Sequence, residues 1–247
     1  MKKKKNIKNE EELDKNLWSF HQSENKQSLS AGHLRQDMLY KKIINLIRKG
    51  KILEIGFGDG YLLKKLSKKY KCYGADISPI NIKQIQNNVP AVSFSLVETS
   101  GKLPYKDNFF DGFVASEVLE HMNDKELEMT AKEIKRVLKP KGKAILTVPA
   151  QERLEDNQCF CPYCKAKFHR WGHKQTWNET KIKNVFKDFQ IETIKIFFTP
   201  YQGNNLKEKF LGKMMWIIRT IIGKFIFLKG GNYLIILEKK HKYKYYE

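Results

Sequence analysis

The stretch Ile52-Leu53-Glu54-Ile55-Gly56-Phe57-Gly58-Asp59-Gly60 decides how this 247-residue chain is read. The apolar run from Ile52 to Ile55 predicts a short buried strand. Three glycines follow at alternate positions, and then the helical pattern Tyr61-Leu62-Leu63-Lys64-Lys65-Leu66. Glycine adopts positive φ without penalty and lets a ligand approach bare backbone. Strand, glycine turn and helix start together make the nucleotide-cradling corner of a doubly wound sheet, at the carboxyl end of its first strand. A glycine turn also joins strands to helices where no ligand binds, so the reading needs further signals.

The next signal is Cys72-Tyr73-Gly74-Ala75-Asp76-Ile77-Ser78, a second short apolar strand ending in a carboxylate. In Rossmann-like sheets an acid about 20 residues after the glycines hydrogen-bonds the ribose hydroxyls. Asp76 fits that role, although an acid before Ser-Pro also serves as a turn or helix cap. Further along come Leu103-Pro104-Tyr105, Phe109-Phe110-Asp111-Gly112-Phe113-Val114, Ser116-Glu117-Val118-Leu119-Glu120-His121-Met122 and Leu138-Lys139-Pro140-Lys141-Gly142.

In this order and spacing, these motifs resemble those of the class I S-adenosylmethionine-dependent methyltransferases, the methyltransferase type 11 group, over roughly residues 30–150. The resemblance implies an α/β fold, a Rossmann-like doubly wound seven-stranded sheet, and S-adenosylmethionine as cofactor. It places Glu54, Gly56, Gly58 and Gly60 around the methionine part of the cofactor, and Asp76 with Ile77 at the ribose and adenine edge. Glu98 falls one residue early for the acid that meets the adenine amino group. Glu117, at the end of the fourth strand, completes the set. The Asn/Asp-Pro-Pro-Phe/Tyr motif of enzymes that methylate base amines is absent there, which argues against adenine-N6 and cytosine-N4 acceptors. His121 lies one turn beyond Glu117. An imidazole with a pKa near 6.5 could take a hydroxyl proton, or the ring could cap or pack under the site.

Around these motifs the chain alternates helix and strand. Residues 1–30 read as a flexible tail and docking segment anchored by Leu17, Trp18 and Phe20. Residues 31–247 read as the methyltransferase domain, with insertions at about 150–177 and 201–231. A helix from Gly32 to Gly50 precedes the first strand, and its start could bring His33 and Arg35 to the site or leave them solvated. Helices are predicted from Pro79 to Asn88, from an Asp124 cap to Leu138, and from Asn178 to Phe189. Strands are predicted at Val92–Val97, Asp111–Ala115, Lys143–Val148, Ile191–Phe198 and Tyr233–Glu238.

The first insertion holds Cys159-Phe160-Cys161-Pro162-Tyr163-Cys164 and Phe168-His169-Arg170-Trp171-Gly172-His173. Cys161 and Cys164 form a C-x-x-C knuckle, and His169 and His173 an H-x-x-x-H pair. Two thiolates and two imidazoles make a closed tetrahedral site, so structural zinc is expected, with Cys159 as a rival ligand. Similar insertions accompany type 11 methyltransferases of surface-glycan clusters. In the second insertion, Phe210 to Leu228 is apolar on more than one helical face and carries Arg219 and Lys224. It is too short and charged to span a bilayer. It reads as a helix packed on the sheet edge or in a dimer. The alternative is an in-plane contact with an anionic membrane.

Lys and Arg number 47 against 27 Asp and Glu, for a net charge of +20. Such a charge favours acidic partners, namely nucleic acid, anionic lipid or phosphorylated glycan. Lysines scattered along the whole chain fit equally well with biased codon usage. The basic N-terminus lacks the apolar core of a signal peptide, and a cytoplasmic protein is expected, with peripheral membrane contact through Phe210–Leu228 as the alternative. The expected activity is O-methylation of a sugar, a surface glycan or another small molecule. RNA modification and a non-catalytic cofactor-binding scaffold are the alternatives.

Overall fold

The computed structural model describes residues 26–98, 102–162, 165–199, 214, 217–218 and 231–240. The expected tail anchors Leu17, Trp18 and Phe20 lie outside these residues, as does most of Phe210–Leu228. Within that segment Met214, Ile217 and Ile218 are helical and exposed. No described helix is long and apolar enough to cross a membrane.

Nine strands and five α-helices are described. In chain order they are α1 (Lys26–Leu46), β1 (Lys51–Ile55), α2 (Tyr61–Leu66), β2 (Lys71–Asp76), α3 (Pro79–Gln86), β3 (Val92–Leu96) and β4 (Phe110–Ser116). Then follow α4 (Asp124–Val137), β5 (Leu138–Pro149), β6 (Gln158–Phe160), β7 (Lys167–His169), α5 (Glu179–Val185), β8 (Phe189–Phe197) and β9 (Asn232–Lys239). Seven strands form one sheet in the order β3-β2-β1-β4-β5-β9-β8, with β9 antiparallel to both neighbours and the others parallel. β6 and β7 form a separate hairpin.

Both faces of the sheet are covered, which is why β1 and β4 are almost wholly buried and read as apolar runs. On one face Leu39 and Ile43 of α1, Leu62, Leu63 and Leu66 of α2, and Ile85 of α3 pack over Ile52 and Val114. On the other, Leu127, Ala131 and Ile134 of α4 and Ile182 of α5 pack over Leu53, Phe113 and Leu146. The strand order reverses between β1 and β4, and the carboxyl ends of these strands open a crevice there.

Local signals shift some boundaries. α1 begins at Lys26, inside the stretch expected to be tail. Asn123, not Asp124, caps α4. Its side chain accepts from Glu126 N–H while Glu126 accepts from Asn123 N–H, a full capping box. α5 stops at Val185, and Phe189 already belongs to β8.

Candidate cofactor and acceptor site

The glycine corner is built from three left-handed residues: φ is +60° at Gly56, +54° at Gly58 and +73° at Gly60. A Cβ on Gly56 would lie 2.6 Å from Val118 Cγ2, and one on Gly60 the same distance from Ile85 Cγ2. Gly58 differs, since a Cβ there would meet nothing within 4 Å. Its bare backbone faces open space, so two of the glycines serve packing and the third exposes the chain to a ligand.

That space is a cavity of about 520 Å³ at the switch point. Of the predicted cofactor residues, Glu54, Gly56, Gly58, Asp76, Ile77, Glu98 and Glu117 line it, whereas Gly60 does not. His121 lines its other end, together with Trp171 and His173.

Asp76 is buried at the end of β2. Its Oδ1 accepts from the Ser78 N–H at 2.8 Å and its Oδ2 from Asn81 Nδ2 at 2.9 Å. It therefore holds the start of α3, whose cap is Ser78, while also facing the cavity. Burial raises its pKa against the opposing effect of these donors. Glu54 is 1% exposed, and its Oε2 has no hydrogen-bond partner. Burial first, and the nearby Asp59 second, push its carboxyl well above the usual range. Glu117 has φ +57°, a left-handed conformation that costs a non-glycine residue energy and marks a constrained position. Its Oε2 accepts from Asn232 Nδ2 at 2.7 Å, while its buried Oε1 has no hydrogen-bond partner.

α1 closes one side of the crevice. Arg35 Nε donates to Ser116 Oγ at 3.2 Å, and Nη1 stands 4.0 Å from Glu117. His33 stacks on Tyr61 with centroids 4.0 Å apart and meets Asp59 Oδ2 at 2.5 Å. Arg35 lines the cavity, whereas His33 does not and reaches it only through Asp59, which does. The sequence left this open because the contacts cross long stretches of chain.

The insertion after β5 docks beneath the end of β4. Lys174 N–H and Gln175 N–H both donate to the Glu120 carbonyl, at 2.7 and 3.1 Å. Gln175 Nε2 donates to the Met122 carbonyl at 2.9 Å, and Trp177 is fully buried. His121 Nδ1 lies 3.2 Å from the Gly172 carbonyl, which only accepts, so this nitrogen carries the proton. Burial, and then the neighbouring His173, lower the His121 pKa to about 3. A ring of such low basicity is a poor general base near neutral pH, which argues against the role expected for it.

The expected four-ligand zinc set does not assemble among the described residues. His169 and His173 do meet, stacked with centroids 4.7 Å apart. Their shared partner is Glu152, whose Oε2 lies 2.5 Å from His173 Nδ1 and whose Oε1 lies 3.4 Å from His169 Nε2. His169 Nδ1 accepts the backbone N–H groups of Trp171 and His173, so its proton sits on Nε2 and its lone pair is used. Cys161 stands at the tip of the β6–β7 hairpin, its N–H donating to the Ala166 carbonyl. His169 pairs with Gln158 at the hairpin's base, three residues away, or ~10 Å at ~3.3 Å per residue. Cys159 pairs with Phe168 between these ends. Cys164 lies outside the described residues. The linear spacing concealed this separation, and Glu120 and Glu152, which meet the imidazoles, belong to neither motif.

Comparison with known proteins agrees with this geometry. Residues 53–146 match the family model described as a methyltransferase domain. An uncharacterized methyltransferase, YdaC of Bacillus subtilis, is 30% identical over 113 residues, covering 44% of this chain and 61% of that protein. The uncharacterized protein MJ0638 of Methanocaldococcus jannaschii is 27% identical over 217 residues, 81% of this chain and 85% of its own. The glycine/sarcosine/dimethylglycine N-methyltransferase of Actinopolyspora halophila is 29% identical over 109 residues, 40% of this chain but 18% of that protein. Among solved structures, the fold resembles the methyltransferase chain of a complex with the Haloferax volcanii Trm112 methyltransferase activator. The TM-score is 0.64 at 16% identity, over 91% of this chain and 98% of that one.

Proposed function

We propose that this chain, whose residues 53–146 match a methyltransferase-domain model, uses S-adenosylmethionine to methylate a hydroxyl of a sugar, a glycan or another small molecule. One observation carries the reading: a single cavity runs from the glycine corner and Asp76 to a second end walled by Trp171, His121 and His173. Its volume of about 520 Å³ is in the range of small-molecule sites. The residues fit the cofactor. Gly58 offers bare backbone, Asp76 faces the cavity with a carboxylate, and Glu54 and Glu117 each bring a buried oxygen without a hydrogen-bond partner.

When bound, S-adenosylmethionine supplies a methyl group already activated on a sulfonium. The protein's part is then to hold both reactants and keep water out. Gly58, Asp76, Ile77 and Glu98 line the end assigned to the cofactor. Arg35 and Glu117 also line the cavity, and the docked insertion contributes Trp171 and His173 to its wall. A small acceptor agrees with the name of the halophilic N-methyltransferase, whose own acceptors are small amines.

RNA remains the second reading because of the net charge of +20. Salt-sensitive RNA binding would favour it, and tight cofactor binding without turnover would favour a scaffold. One fold neighbour was solved with Trm112, so that activator belongs in the activity assay as a partner. We also infer peripheral contact with anionic membranes, from the charge and from exposed Met214, Ile217 and Ile218.

Calorimetry with S-adenosylmethionine and its demethylated product tests the cofactor assignment. Asp76→Ala should weaken binding by ~1–3 kcal/mol, the usual cost of a hydrogen bond to a charged group. Unchanged affinity would reject the ribose role. Mass spectrometry of glycans, lipids and RNA from cells with and without the protein then identifies the acceptor.

A further inference from the structure

We propose that Glu120, His121 and His173 form a site for a divalent transition-metal ion at the acceptor end of the cavity. One ligand atom from each lies within 4.8 Å of the others, and all three line the cavity. No motif in the sequence contains this set. Glu120 and His121 come from the turn after β4, and His173 comes from the docked insertion.

The Nδ1 contacts of the two imidazoles are those of metal-ligating histidines. His121 is held at Nδ1 by the Gly172 carbonyl, and His173 at Nδ1 by Glu152, 2.5 Å away. In both rings the proton therefore sits on Nδ1 and the lone pair on Nε2. A carboxylate or carbonyl behind the ring is the usual support of a metal-ligating histidine. Glu152 is itself steadied by Asn157 Nδ2 at 2.9 Å. His169, by contrast, spends its lone pair on backbone N–H groups and completes this support instead of ligating.

The independent observation is Glu120. It is 0% exposed, and neither carboxylate oxygen has a hydrogen-bond partner. An ionised carboxylate buried in that way is costly, and the cost is relieved either by keeping the proton or by a cation held beside it. Two imidazoles and one carboxylate suit zinc in an open, three-ligand site, or iron(II). Such an ion keeps a coordination position for water or for an acceptor oxygen, whose proton it makes easier to remove. This last role rests on the methyl-transfer reading, whereas the metal site does not.

The test uses full-length protein stripped with a chelator, dialysed, and titrated with cobalt(II) and zinc(II). We expect one tight equivalent, with cobalt d–d absorption and no thiolate-to-cobalt charge-transfer band. Glu120→Gln and His173→Ala should each abolish tight binding, and Glu152→Gln should weaken it about 10–100-fold. The Cys161→Ser/Cys164→Ser double variant should bind as the parent does. No uptake, or undiminished uptake by Glu120→Gln, would overturn the site. So would a thiolate band that disappears in the double cysteine variant. Thermal melts confirm folding, and if His173→Ala does not fold, the near-isosteric Glu120→Gln decides. Calorimetry with S-adenosylhomocysteine on the same samples separates the two readings. Metal bound without the nucleoside refutes the cofactor assignment, and nucleoside bound without metal refutes the metal site.

Discussion

The ring of His173 lies 4.9 Å from that of His121 with their planes at 73°, although the two residues come from opposite ends of the α4–β5 unit. The contact exists because the Glu120 carbonyl takes two backbone hydrogen bonds from Lys174 and Gln175. This clasp joins the turn after β4, where the reacting end of the cavity begins, to an insertion with little regular structure of its own.

Gln175 is the side chain that reinforces the clasp. It is buried, and its Nε2 donates to both the Met122 carbonyl and Asp124 Oδ1. Gln175→Leu should leave the Met122 carbonyl without this donor and cost ~1–3 kcal/mol in urea unfolding. Limited proteolysis should then cut within 150–177 sooner than in the parent. Equal stability and an unchanged digestion pattern would show that the backbone bonds alone hold the loop.

Arg136 should matter to both stability and cofactor binding. Its guanidinium donates to Glu133, to Asp107 and to the carbonyls of Leu103 and Tyr105, at 2.6–2.9 Å. Glu133 in turn accepts the Leu103 N–H, and Leu103 lines the cavity. The planar fork meets partners on several sides, so even Arg136→Lys should fail to replace it. We expect a loss of ~2 kcal/mol in unfolding and weaker S-adenosylhomocysteine binding by calorimetry. A lysine variant that matches the parent in both measurements would reduce this cluster to ordinary surface charge.

The glycine corner and Asp76, which line the cavity, were legible in the sequence, and the wall that the insertion adds largely was not. Gly56, Gly58 and Asp76 announce themselves because strand, turn and cap chemistry are local, and the short apolar runs of β1 and β2 mark where the strands end. Arg35 and Glu120 are ordinary residues whose place in the cavity wall comes from contacts across the fold. The thiol and imidazole pairs misled for the same reason. Spacing along the chain suggested one site, whereas the β6–β7 pairing sets Cys161 and His169 at opposite ends of a hairpin. Helix caps shifted by single residues because Asn123 and Asp124 are both good candidates, and only the reciprocal bond from Glu126 chooses between them.

Met214, Ile217 and Ile218 are exposed at 42%, 43% and 39%, so these three side chains do not pack into the core of this chain. Their i, i+3, i+4 spacing puts them on one helical face. With a net charge of +20, the protein should co-float with anionic liposomes at low salt and release at high salt. Ile217→Glu/Ile218→Glu should abolish flotation while leaving the circular dichroism spectrum unchanged. Flotation that fails in the parent, together with a dimer that this double variant dissociates, would instead assign the face to self-association.

Glu54 should trade stability for function. Its folded pKa is raised well above that of the unfolded chain, chiefly by burial and further by Asp59. Between the two values the unfolded state sheds the proton while the folded state keeps it. Stability from this group is thus fully present below the unfolded pKa of about 4.3 and is lost as pH climbs toward the folded value. Glu54→Gln keeps the shape and removes the titration. Without cofactor, the variant should be more stable than the parent at pH 8, and the difference should shrink toward pH 4.5. In calorimetry it should bind S-adenosylmethionine more weakly, because the carboxyl proposed to meet the methionine part can ionise beside the cofactor's positive charge and an amide cannot. A constant stability difference across that pH range would mean that Glu54 ionises as readily in the folded protein as in the unfolded chain.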